Sequence, residues 1–168
     1  MEFKAIVDFS QLVVAITVVA GTIFGLLQLS EFRRQRRESS AGELMRSFMS
    51  VEFAQAQAIV MRLPDRVPAA DLRAQGQEVE QAAVLVCTTF EAMGVMVFER
   101  ITPLPLVLNL AGGLATVLWR KLEAWVFELR IEQSNPADSE WFQWLAEQCE
   151  RRKTKTQPAY AQYRNWEP

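Results

Sequence analysis

The hydrophobic positions form one unbroken block and then a series of stripes. From Phe9 to Ser30 the chain carries no charge, with VVAITVVAGTIFGLL at its centre. Those 22 residues predict a helix of about 33 Å, which matches a bilayer core of roughly 30 Å. Beyond residue 40 the apolar residues recur at threes and fours. Leu44, Met45, Phe48, Met49, Ala56, Ile59, Val60 and Leu63 predict an amphipathic helix that closes at Pro64. A capping box at Ser40-Ala41-Gly42-Glu43 opens it. Pro64 to Pro68 reads as a loop. From Asp71 the pattern resumes as Val79, Ala82, Ala83, Val86, Phe90, Met93, Gly94, Val97 and Ile101, the clearest helical period in the chain. This segment is expected to be the central core helix.

Residues 101–119 again lack charge. Pro103, Pro105, Asn109 and the Gly112-Gly113 pair interrupt that stretch, so a second membrane span is not expected. The pattern predicts a short helix from Pro105 to the glycines and a longer one from Leu114 to about Glu132. The other reading of 101–119 is a surface that docks on a partner or lies in the membrane interface. A last helix is expected after Asp138 or Ser139, with Trp141, Phe142, Leu145 and Cys149 on one face and Trp144 off it. The tail after Lys153 is polar but carries Tyr160, Tyr163 and Trp166. A plain disordered tail is usually poor in aromatics, so this one reads either as a segment that docks on its own domain or a partner or as a free tail.

Charge then orients these elements. Arg33, Arg34, Arg36 and Arg37 follow the apolar block, and Glu2 and Asp8 outweigh Lys4 before it. An acidic leading segment and the lack of a small-x-small site are unlike a cleaved leader, so an uncleaved anchor is expected. The positive-inside rule puts the amino terminus outside and the remainder in the cytoplasm. The arginines also form a membrane-surface collar toward anionic head groups. Residues 31–37 carry +3, residues 38–100 carry −4 and residues 101–168 are neutral. An acidic body does not suit nucleic-acid binding. In the membrane block, Gly21 and Gly25 have the GxxxG spacing that lets another helix approach closely.

The chain contains no histidine. That excludes Ser-His-Asp and Cys-His catalysis, zincin motifs and imidazole ligation of haem. Neither a P-loop nor GxGxxG occurs, and no cofactor or metal is expected. Cys87 and Cys149 lack CxxC spacing and read as reduced core cysteines. Glu91 stands out because apolar residues surround it on the central stripe. A carboxylate there requires a partner, and Arg130, with Arg120 second, is the expected cation.

The runs FEAMGVMVFERI, LVLNLAGG, LWRKLEAWVFELR and SEWFQWLAEQCE resemble a family of small bacterial proteins known as a domain of unknown function. Its members pair one amino-terminal membrane helix with a helical cytoplasmic domain. The residues carrying the likeness are Phe90, Glu91, Gly94, Trp119, Arg130, Phe142 and Leu145. The resemblance implies that architecture and a bacterial membrane, and that Glu91, Trp119 and Arg130 form a packed polar cluster. It implies no activity.

Together these readings predict an all-α protein with a single amino-terminal transmembrane helix and a cytoplasmic bundle of about four to five helices. The expected divisions are an anchor over 1–32, a collar over 33–39, a helical domain over 40–152 and a tail over 153–168. The expected function is a single-pass inner-membrane accessory or scaffold subunit, its partners being lipids, other membrane subunits or a second copy. The alternative is a membrane-tethered enzyme using carboxylates, Glu91 with Glu99 or Glu128.

Overall fold

The computed structural model describes residues 50–153 and 157–167, together with 18, 19, 21–25, 28, 42 and 46. The chain divides into two units, Met1–Ser39 and Ser40–Pro168. In the first unit the described residues are helical, and Val18, Val19, Ile23 and Phe24 are exposed. A methyl group added at Gly21 or Gly25 would meet nothing within 4 Å. The arginine collar at Arg33, Arg34, Arg36 and Arg37 lies outside the described residues.

In the second unit every regular element among the described residues is a helix. The first, α1, spans Val51–Met61. Ser50 starts it: its backbone is extended at ψ 142° and its hydroxyl accepts the Phe53 N–H at 3.1 Å. A single helix running from residue 44 to 63 is therefore not what forms, because Ser50 leaves helical geometry and caps a new one. The capping box expected at Ser40 to Glu43 falls outside the described residues, Gly42 excepted. Phe53, Ala56 and Val60 of α1 are buried.

A short helix, α2, covers Ala69–Ala74. Gly76, at φ 107°, then turns the chain into α3, Gln77–Phe98. The helix expected to run on from Asp71 is thus two helices, split where only glycine adopts the required φ readily. Among the described residues, α3 is the helix long and apolar enough to cross a membrane. It packs against α1 and against the two helices that follow it. Its Ala83, Val86, Phe90 and Met93 are almost fully enclosed.

The helix α4 runs unbroken for 29 residues, Leu104–Glu132. The break expected at Gly112-Gly113 does not occur. Gly112 is buried where a methyl group would touch the Cys149 Sγ at 3.5 Å, and the Thr116 hydroxyl donates to the Gly112 carbonyl at 2.9 Å. Burial of Gly112 against Cys149 thereby offsets the weak helix propensity of glycine at that position. The uncharged stretch is divided between core and surface: Val107, Ala111, Ala115, Leu118 and Trp119 are buried, whereas Ile101 and Leu110 are exposed.

Residues Glu140–Lys153 form α5, which packs on both α3 and α4. Its Phe142, Leu145, Ala146 and Cys149 are buried. Trp141, expected on that inner face, is only half-buried. A last turn, α6, covers Ala159–Gln162, and Tyr160, Tyr163 and Trp166 are all exposed. At the centre of the bundle Phe90 stacks on Phe142 with centroids 4.8 Å apart. Phe53 meets Phe90, and Trp119 meets Phe142, edge to face.

Candidate functional site

The most densely organised region is where α5 begins. A helix start leaves four backbone N–H groups without partners, and here the partner comes from another helix. Glu91 of α3 accepts the Phe142 N–H at 2.8 Å and also engages the Trp141 amide. Three residues on, Gly94 faces the same turn. A Cβ at Gly94 would lie 2.4 Å from the Trp141 carbonyl oxygen. Glu91 and Gly94 share one face of α3 at i, i+3 spacing, so the first grips the start of α5 and the second makes room for it.

The expected ion pair is corrected by this geometry. Among the described residues Glu91 makes no salt bridge with Arg130 or Arg120. Arg130 donates through Nε to the Asp138 carbonyl at 2.8 Å and through one terminal nitrogen to Gln143 at 2.8 Å. Its guanidinium carbon lies 5.2 Å from the centre of the Phe127 ring, and its other terminal nitrogen is buried without a partner. Arg120 instead pairs with Asp65 at 2.9 Å. Trp119 packs its edge against Phe142. Glu91, Trp119 and Arg130 therefore converge on the same turn of α5, each through a different contact and none with another's charge.

Glu128 works in a similar way. It accepts the Ala69 N–H of α2 at 2.7 Å. Glu99 is exposed at the end of α3. Both distant glutamates that hold helix ends were singled out by sequence as carboxylates. Their real partners, backbone amides 51 and 59 residues away, carry no sequence signal.

Burial, opposed by the Phe142 and Trp141 amides, raises the Glu91 carboxyl above its ordinary value, and Glu140 and Asp138 add to the rise. A carboxyl whose folded pKa is raised contributes stability that is complete below the ordinary 4.5. That contribution is lost as pH climbs through the raised value. Glu91→Gln removes this dependence. In paired denaturation curves, the deficit of the variant against the native chain should be largest in acid and shrink toward neutral pH. A deficit that grows instead would mean the charged form is the better cap. Glu91→Ala, which leaves the Phe142 amide without its acceptor, should cost about 1–2 kcal/mol. Glu91→Gln at neutral pH should cost less, since an amide oxygen still accepts.

Beside Glu91 a cleft of about 400 Å³ opens between α3, α4 and the 133–139 segment. Its buried lining includes Cys87, Trp125, Leu129 and Ser139. Burial pushes the Cys87 thiol up to about 12, which disfavours the thiolate at neutral pH. Burial also lifts Cys149, to about 11. No cluster of metal-ligating residues occurs among the described residues. Elsewhere on the surface, Phe98 lies 4.5 Å from Trp141 and 6.2 Å from Trp144, centroid to centroid. Phe98 is 53 % exposed, with Val95 and Ile101 exposed nearby in sequence. Trp144, read from sequence only as off the buried face, belongs to this aromatic group.

A family model covers residues 15–149, which includes α1 to α4 and ten of the fourteen residues of α5. The chain belongs to the family described as Domain of unknown function (DUF4760). No curated protein and no solved structure matches it significantly. The DUF4760 match takes in Glu91, Gly94, Trp119, Arg130 and Phe142, and so the whole junction between α3 and α5. It assigns no activity to that junction.

Proposed function

We propose that this DUF4760 protein is a membrane-anchored accessory or scaffold subunit that binds other proteins through the exposed face of its helical unit. The observation that supports this reading is the aromatic group of Phe98, Trp141 and Trp144, with Phe98 mostly in water. Partly exposed tryptophan and phenylalanine in one group are the residue types that anchor interfaces. The carboxylate-enzyme reading has less behind it. Glu91 and Glu128 each engage a helix amide, and Glu99 stands apart at a helix end.

The membrane part of the proposal rests on the sequence: an uncharged 22-residue block followed by Arg33, Arg34, Arg36 and Arg37. It places the protein in the bacterial inner membrane with the amino terminus outside. Gly21 and Gly25 serve as the contact for a second membrane helix, of this chain or of another subunit. Two measurements test the whole. Single cysteines placed at Ser39 and Glu167 should resist a membrane-impermeant label in intact cells, and labelling at either site would refute the orientation. Phe98→Lys should leave the melting curve of the full chain in mild detergent intact. It should remove the proteins that co-purify with the native chain. An unchanged set of co-purifying proteins would refute the aromatic face as the docking surface.

A further inference from the structure

The side of α3 that faces away from the core carries a pattern of its own. Gln81, Leu85, Thr88, Ala92, Val95 and Glu99 recur at alternating steps of four and three, and all six are exposed. Positions at that spacing form the a and d line of a heptad, the seam along which one helix packs against another. The helix already buries Ala83, Val86, Phe90 and Met93 on its other side, so this seam is additional to the core contact. At 1.5 Å per residue it is about 27 Å long. Its first half, with Val84, lines a groove of about 420 Å³. The Thr88 hydroxyl donates to the Val84 carbonyl at 3.0 Å, so covering the seam strands no donor there. Glu91 flanks the seam, but its carboxylate is held by the Phe142 amide.

The symmetry of the seam indicates what fits it. Residues 81, 85 and 88 lie nine, five and two positions before Phe90, and residues 99, 95 and 92 lie the same distances after it. Turned end for end, the seam therefore meets its own copy as Gln81 with Glu99, Leu85 with Val95 and Thr88 with Ala92. The Gln81 amide then donates to the one carboxylate of the seam, whereas a parallel pair would set Glu99 against Glu99. Thr88 and Ala92 are small and fall at the crossing point, where they let the two axes approach. We propose that α3 pairs antiparallel with the α3 of a second copy of this chain, through this seam and in this register. The contact is isologous, the same surface serving both copies. It stands apart from the docking reading, because no seam residue belongs to the Phe98, Trp141 and Trp144 group, and from pairing at Gly21 and Gly25.

Cross-linking of the full chain in mild detergent tests both the partner and the register. The probe is a thiol-to-thiol reagent that spans about 8 Å, the distance between packed helix axes. Leu85→Cys and Val95→Cys together in one chain should give cross-linked dimers. Either substitution alone should not, because each cysteine then lies about 15 Å along the axis from its equivalent in the partner. Cys87 and Cys149 are buried, and the native chain serves as the blank. Ala92→Glu, added to the double variant, sets two unpaired carboxylates at the crossing point. It should cut the cross-linked fraction about tenfold while the melting curve holds, since Ala92 is exposed. Gly21→Leu should leave the cross-link in place. A double variant that gives no dimer would overturn the proposal. So would dimers from Leu85→Cys alone, the sign of a parallel pair, or a dimer that survives Ala92→Glu and is lost with Gly21→Leu.

Discussion

Gly94→Ala is expected to destabilise the helical unit by about 3 kcal/mol, the upper part of the range for forcing atoms into a filled core. The added Cβ would lie 2.4 Å from the Trp141 carbonyl oxygen and 2.8 Å from both its carbonyl carbon and Cβ. Two of those atoms are backbone, so no rotamer change relieves the clash. α5 must move away from α3, and the Glu91 bond to the Phe142 amide lengthens as it does. Gly113→Ala supplies the opposite sign. Gly113 is exposed on α4 with nothing within 4 Å of a new methyl group. There the substitution should stabilise by about 0.5–1 kcal/mol through helix propensity alone. Urea denaturation of both variants checks the pair. Equal effects at the two glycines would show that α3 and α5 do not approach as closely as the structure has them.

Phe142→Ala is expected to cost about 4 kcal/mol, within the range for deleting a buried aromatic. Its ring is fully enclosed, stacked on Phe90 at 4.8 Å and met edge-on by Trp119 at 5.2 Å. Deletion removes both aromatic contacts and leaves a void between three helices, because Phe90 belongs to α3 and Trp119 to α4. Phe142→Leu should recover more than half of the loss. The melting temperature should fall by about 10 °C for the alanine variant. A fall of only one or two degrees would place Phe142 at the edge of the core.

Much of this core was legible in the residue pattern. Phe90, Met93, Gly94 and Val97 recur at helical spacing and do line the inside of α3, and Phe142, Leu145 and Cys149 do likewise on α5. The misreadings share a cause. Gly112-Gly113 reads as a stop by propensity, but Gly112 is buried facing Cys149, which lies 37 residues further on. Ser50 reads as interior to a long amphipathic stripe, and its role as a cap depends on a backbone angle that hydrophobic spacing does not encode. Glu91 was conspicuous as a carboxylate among apolar residues. Its partner was misjudged because sequence reasoning searches for opposite charge, while an amide at a helix start offers the same relief. The cleft left no trace at all: Cys87, Trp125 and Asp138 are ordinary residues until α3, α4 and the 133–139 segment bring them together.

The grip of Glu91 and the close approach at Gly94 act on a single turn of α5, and together they lock its register. Sliding α5 along α3 by one residue would break the Phe142 bond and drive a side chain of α5 against the α3 backbone where only glycine now fits. Helix pairs without such a lock shear past one another at small cost. Here the joint has no free travel. A pull on Trp141 or Trp144 from outside is therefore borne by α3, the middle of the bundle, and α3 and α5 respond to it as one rigid lever.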